Sequence, residues 1–433
     1  MNTLIFENVA IIDPEAKKSV PGRLVVKDGL IAGHLPPGTD GVPEGAVHID
    51  GGGAALCPGL IDVRASTGEP GAEYRETFTA SLDAAAAGGV TTMALLPNTR
   101  PAIDEPALVR LLKARGDEDG RVTILPYGAL THGCLGQDMA ELGRLSEAGA
   151  IAFTDGPHAI ADTKRMRQCL AYAKGIDALV MQHPEDPSLA RGGCATASER
   201  ATRLGLPQIP PAAEAILMAR DIRLAEMTGA RLHFAHVSTA EGLELIRGAR
   251  KRGLPITCDA APPYFYLDER EIEGFRTYAK LSPPLRETSD RDAVRAALAD
   301  GTIDAIASDH TPCDADDKRL PFAQARAGGT GLVTLLPITL SEVAAGRLNL
   351  LQAIRLLTSS PARLLGVVGG TLRKGRPADL CLFDPKARWT ITAGALAGGA
   401  QNTPFDGRDV TGKIIGTWKN SRQTFGEGLS HDA

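Results

Sequence analysis

A chain of 433 residues with 47 Lys and Arg against 52 Asp and Glu carries a formal charge of −5. With no basic blocks, it lacks the clustered cations that phosphate neutralisation needs, which argues against nucleic acid as the main partner. Its seven cysteines include no C-x-x-C pair, which disfavours a disulfide framework or a zinc ribbon and points to a reducing compartment; no stretch approaches the roughly 20 apolar residues of a membrane span, and the start lacks a basic, apolar leader, so the expectation is a soluble cytoplasmic protein.

In chain order, residues 2–12, 23–32 and 46–50 read as short strands broken by Pro21-Gly22 and Pro36-Pro37-Gly38. Eight apolar runs follow, at 56–63, 90–96, 121–128, 150–153, 178–182, 231–237, 255–259 and 303–308. They are rich in Val, Ile, Leu and Ala without polar alternation, as expected of strands buried on both faces of a parallel sheet. Between them lie helical patterns at 76–87, 105–115, 138–148, 162–174, 212–228, 240–252 and 290–300, and a last one spans 351–365. Gly88, Gly116, Gly149, Gly175, Gly229, Gly253 and Gly301 follow the first seven, where a left-handed C′ residue ends a helix. The alternation predicts an α/β fold, a (β/α)8 TIM-type barrel over 56–369, with a doubly wound open sheet as the alternative. Strand-like segments return at 379–383, 388–391 and 410–418, so residues 1–55 and 370–433 are expected to form one small β domain from both termini.

Barrel enzymes work from the C-terminal ends of their strands, so the titratable residues directly after each run are the candidates. Asp155 follows the fourth, His183 the fifth, His236 the sixth and Asp309 the eighth. Two imidazoles and two carboxylates on one rim suit Zn²⁺, with a carboxylate as general base. Taken singly, a strand-end Asp also suits a helix N-cap and a lone His a hydrogen-bonded rim residue. His233 lies deeper in its strand and by the period-two rule points to the other side, and His310 points away from Asp309. Asn98, in Pro97-Asn98-Thr99, offers an amide to a substrate or serves the turn. Cys258 and Cys313 have no evident base partner and read as inert thiols. His34, His48 and His431 belong to the flanks.

The sequence resembles the dihydroorotases of the amidohydrolase superfamily nearly end to end. The resemblance is carried by Pro58-Gly-Leu-Ile-Asp-Val63, Glu69-Pro-Gly71, Gly88-Gly-Val-Thr-Thr92, Ala152-Phe-Thr-Asp155, His183-Pro-Glu-Asp186, His236-Val-Ser-Thr239, Pro283-Pro-Leu-Arg286, Gly301-Thr-Ile-Asp304, Ser308-Asp-His-Thr-Pro312 and Asn402-Thr-Pro-Phe405. It implies a metal-bearing barrel, with zinc activating hydroxide, that interconverts carbamoyl aspartate and dihydroorotate in pyrimidine biosynthesis. By resemblance Asp155 is the metal-bridging carboxylate, His183 and His236 ligate one metal, Asp309 is a ligand and base, and Asn98 contacts substrate.

The departures fall at the chemistry. After the first strand the family has His-x-His and, two residues on, Arg; this chain reads Arg64-Ala-Ser66-Thr-Gly68. Ser282 stands for a substrate-contacting Asn, Cys313 for the last His of Asp-His-x-Pro-His, and Pro262-Pro263-Tyr264 for Pro-His-His. A guanidinium at Arg64 could replace part of the missing metal's charge and pair with Asp309 or Asp155. Two expectations follow. One is a dihydroorotase-like pseudoenzyme which, like the family's non-catalytic members, partners aspartate carbamoyltransferase. The other is a hydrolase of a cyclic amide with at most one zinc, held by Asp155, His183 and His236, and Asp309 as base.

Overall fold

The computed structural model describes residues 3–36 and 45–426; His431 and the Pro37-Gly38 break lie outside them. All eight apolar runs contain a barrel strand. The strands are Leu60–Ala65, Val90–Leu95, Thr123–Pro126 continuing as Gly128–Ala129, Phe153–Thr154, Leu179–Gln182, Arg231–Phe234, Ile256–Ala260 and Ala305–Ile306. Each pairs in parallel with the next. A parallel bridge between Ala65 and His310 closes the ring, and the Ser66 amide donates to the His310 carbonyl at 2.7 Å. Closure removes the edge that an open sheet would expose, so the doubly wound alternative falls.

Asp62 ties the same seam from inside. Its carboxylate accepts from the Ser308 amide at 2.8 Å and from the Ser308 hydroxyl, and burial pushes its pKa up to about 6.

Strands near both chain ends build an eight-stranded sheet: Thr3–Asp13, Lys18–Lys27, Leu30–Leu35, Val47–Asp50, Ala55–Pro58, Leu380–Thr390, Asp409–Lys419 and Arg422–Phe425. It has its own buried cluster, in which Phe6 meets Trp418 edge to face at 4.9 Å. No helix among the described residues is long and apolar enough to cross a membrane.

Several features differ from the sequence reading, among them the segments 379–383 and 388–391, which are one strand, Leu380–Thr390, and the pattern 138–148, which is helical only over Leu142–Ala148. The run 56–63 is two strands, because Ala55–Pro58 pairs antiparallel with Leu380–Thr390 before the chain enters the barrel. Gly59 makes the crossing: a Cβ there would lie 2.2 Å from the Thr91 side chain. The run 23–32 is a hairpin turning at Asp28 and Gly29, whose φ values of 51° and 80° suit an Asp-Gly turn. The last helical pattern breaks at Thr358 into Leu350–Leu357 and Ser359–Leu365. Finally, Gly149, Gly229, Gly253 and Gly301 take positive φ as expected, but Gly88, Gly116 and Gly175 do not. Gly116 lies inside helix Pro106–Asp119, where the missing side chain lets the helix approach Ile124; a Cβ would come within 2.6 Å.

Candidate active site

The rim is assembled from strand ends, and two of its residues sit in strained backbone. His236 and Asp309 have φ of 39° and 49°, a region L-residues enter at a cost, often where the strand end must aim a side chain. The His183 Nδ1 and His236 Nε2 atoms lie 3.2 Å apart, with ring centroids 5.0 Å apart. Tyr264, where the family has histidine, stacks on His236 at 6.2 Å and donates its hydroxyl to the Pro283 carbonyl. Burial, then the Arg64 charge, pushes the His236 imidazole well below its ordinary pKa. Its Nδ1 has no hydrogen-bond partner among the described residues.

Arg64 is 3% exposed and turns into the rim. Its Nε donates to Asp309 Oδ1 at 2.8 Å and its Nη2 to the Gly156 carbonyl at 3.3 Å. Of the two partners the sequence allowed, the guanidinium takes Asp309. Burial raises the Asp309 carboxyl to about 6 against the opposing pull of Arg64. Asp155 is committed elsewhere: Oδ1 accepts from the Leu130 and Thr131 amides, both at 2.9 Å, and Oδ2 from the Thr131 hydroxyl.

Arg64, Ser66, Asn98 and Asp309 line a cleft of about 300 Å³, together with His158, Ser282, Arg326 and Thr330. Asp155, His183 and His236 lie outside that lining. The structure thus places Asn98 and Asp309 on the cleft and the imidazole pair behind it.

His310 faces away, as expected, and contacts Glu76 at 2.7 Å. Burial opposes ionisation of Glu76, but the His310 imidazole, the Ser81 hydroxyl and the Gly399 amide outweigh it and hold the pKa at about 2. A carboxyl depressed on folding stabilises fully above its unfolded pKa and loses that contribution as pH falls toward the folded value. Urea melts of Glu76→Gln and the parent between pH 6 and pH 2 are therefore expected to converge, the parent losing on the order of 2–3 kcal/mol more.

His233 is a core residue, holding Asp259 through Nε2 at 2.8 Å and Thr257 through Nδ1 at 2.9 Å. Cys258 and Cys313 are buried, and burial pushes both thiols up. His34 and His48 bind the Leu372 carbonyl and Glu7 within the flanks.

Several contributors escaped the sequence reading. Asp259 accepts the His236 amide at 2.7 Å and so fixes the strained turn; its one signal was its place at the end of a strand. Glu214, wholly buried in helix Ala212–Thr228, accepts from the amides and hydroxyls of Ser238 and Thr239. His158 and Arg326 lie in loops and had no periodic signal.

A catalytic zinc site keeps three protein ligands and one open position. Two nitrogens 3.2 Å apart match two ligands of one tetrahedral ion, about 3.3 Å for Zn–N bonds of about 2.0–2.1 Å. The other two candidate ligands are held by protein donors, Asp155 by Leu130 and Thr131 and Asp309 by Arg64. Among the described residues no group of three or more His, Cys, Asp or Glu could hold a metal ion. The donor set as arranged does not fit the two-metal centre that the resemblance implies.

Residues 53–242 match the family model described as dihydro-orotase-like. The chain is 41% identical over 96% of its length to a protein named dihydroorotase from Pelobacter propionicus, covering 98% of that protein. It is equally 41% identical over 98% of its length to one from Syntrophotalea carbinolica, covering 99% of it. The chain belongs to the dihydroorotase family. Among solved structures, an L-hydantoinase (dihydropyrimidinase) from Arthrobacter aurescens matches with a TM-score of 0.88 at 25% identity, over 100% of this chain and 98% of that one. A dihydropyrimidinase from Brevibacillus agri matches with a TM-score of 0.84 at 23% identity, over 99% and 97%, and attests to the fold. This member of the family thus sits on an amidohydrolase scaffold, a barrel with a terminal β sheet.

Proposed function

We propose that this chain is a dihydroorotase-like protein of pyrimidine biosynthesis with an impaired catalytic centre, acting as a structural or regulatory partner of aspartate carbamoyltransferase. The observation that carries the reading is the Arg64–Asp309 pair at 2.8 Å. A guanidinium can offset carboxylate charge, but it neither binds nor deprotonates water as a metal does. It also occupies the carboxylate that the resemblance makes the general base. The partner follows from the resemblance to non-catalytic members of the family. The same reading divides the chain into a β domain of residues 1–55 and 370–433 and a barrel of 56–369, supported by the separate buried cluster of the terminal sheet.

A second reading has one supporting observation, the ligand-like spacing of His183 and His236. On it, a single zinc held by these imidazoles and Asp155, with Asp309 as base, would hydrolyse a cyclic amide. Elemental analysis of protein purified without chelator, paired with a dihydroorotate hydrolysis assay, separates the two. The expected result is well under one zinc per chain and no turnover above background. About one zinc per chain, with turnover abolished by Asp309→Asn, would replace the proposal by the second reading. The partner claim predicts co-elution with aspartate carbamoyltransferase of the same organism at micromolar concentration, and separate elution would remove it.

A further inference from the structure

The cleft beside Arg64 has an unbalanced charge. Its acidic lining residue, Asp309, is held by Arg64. Arg326 lines the same cleft, is exposed, and its guanidinium has no ion pair or hydrogen bond among the described residues. A second, independent feature points the same way. Thr330, also on the lining, is 7% exposed, and its hydroxyl is buried without a hydrogen-bond partner among the described residues. Buried hydroxyls are normally satisfied, so an orphan on a residue that lines a polar cleft marks a place for a ligand atom.

The mount of Arg326 is rigid. Its amide donates to the Asp317 carbonyl at 3.2 Å, and its carbonyl accepts from the buried Lys318 ammonium at 2.8 Å. The next turn is pinned by the Gly328 amide on the Lys280 carbonyl at 3.0 Å. These bonds hold the backbone under Arg326, while its side chain keeps the rotamer freedom that a bound anion would order. Position 68, meanwhile, cannot supply a guanidinium. A Cβ on Gly68 would lie 2.3 Å from the Ala72 carbonyl oxygen and 2.4 Å from that of Glu76.

We propose that Arg326 and Thr330 form a carboxylate subsite that lets this cleft bind a small ureide acid, with the Asn98 amide facing the ureide group. The ligand class rests on the family reading given under Proposed function; the anion subsite itself rests on the cleft. Arg326 supplies charge and a planar fork of donors, Thr330 one further donor, and a cleft of about 300 Å³ is at the small end of ligand sites. Arg326 is here a specificity residue for binding and takes no part in bond making.

Titration calorimetry with three probes tests this: dihydroorotate, dihydrouracil, which is the same ring without the carboxylate, and succinate. The parent protein is expected to bind dihydroorotate at least about tenfold tighter than dihydrouracil, the scale of one charge-assisted contact. Arg326→Gln is expected to bring that ratio close to one while leaving dihydrouracil binding unchanged, and Thr330→Val to lower it about threefold. Because Arg326 is exposed, its variant should keep the parent melting profile, which circular dichroism checks. If dihydroorotate binds and Arg326→Gln leaves the ratio intact, the subsite is refuted and the family reading stands. If dihydroorotate fails to bind while succinate binds in an Arg326-dependent way, the subsite stands and the pyrimidine reading falls. If no carboxylate binds, the subsite is refuted.

Discussion

Glu214→Ala is expected to destabilise the chain by about 4 kcal/mol, through the loop that carries His236 rather than through its own helix. The Glu214 side chain is fully buried, and its two oxygens accept from the Ser238 amide and hydroxyl at 3.1 and 2.5 Å and from the Thr239 amide and hydroxyl at 2.9 and 2.7 Å. Alanine would strand four donors where water does not reach. Each orphan costs about 1–3 kcal/mol, partly relieved as the loop relaxes. Arg286 adds to the loss, because its Nε donates to the Ser238 hydroxyl at 3.0 Å and its Nη2 lies 4.0 Å from Glu214. Glu214→Gln keeps one acceptor but introduces an amide donor among donors, so it is expected to recover only part of the loss. Denaturant unfolding of the three proteins measures this. A cost under about 1 kcal/mol for the alanine variant would show that Glu214 does not hold the His236 turn.

The strand positions were legible because a parallel barrel buries both faces of each strand, leaving apolar runs that stand out against amphipathic helices. Asn98, Asp155, His183, His236 and Asp309 were singled out for the same reason, since the fold puts chemistry at strand ends and strand ends can be counted, whereas Arg64 stood out only against the family motif it departs from. What the sequence could not show were choices among partners. Arg64 could reach either carboxylate, and only packing selects Asp309 while three donors from the Leu130–Thr131 backbone and hydroxyl take Asp155. Glu214 was hidden because one buried carboxylate in a helix barely disturbs its periodicity. Arg326 sits on a loop, where period carries no signal. Gly116 and Gly59 were misread for a shared cause: each is glycine for close approach to a neighbour, which leaves the same letter in the sequence as a helix stop or an uninterrupted strand.

Replacing Arg64 and Ser66 together by histidine is expected to raise the zinc content from near zero to one or more per chain. Both positions line the cleft, so the two imidazoles would be placed on the same lining. Removing the guanidinium also frees Asp309 Oδ1, its acceptor at 2.8 Å, and relieves His236 of the Arg64 charge that helps keep it from protonating. Metal affinity would gain ligands and lose a competing cation at once, and elemental analysis after dialysis without chelator reads the result. Unchanged content would mean that the surrounding hydrogen bonds, not the two substitutions, exclude the ion. Adding Gly68→Arg is expected to undo the gain by unfolding the turn. The Gly68 amide and carbonyl are bonded to Glu76 and Ala72 at 3.1 and 2.6 Å, and a Cβ would lie within 2.4 Å of the carbonyl oxygens of both residues. Neither backbone atom can swing aside as a side chain would, so the overlap costs several kcal/mol. The double variant would then be a metal-bearing protein that still lacks the substrate clamp, and a triple variant that folds with the parent's melting profile would show that the clamp was lost by substitution alone.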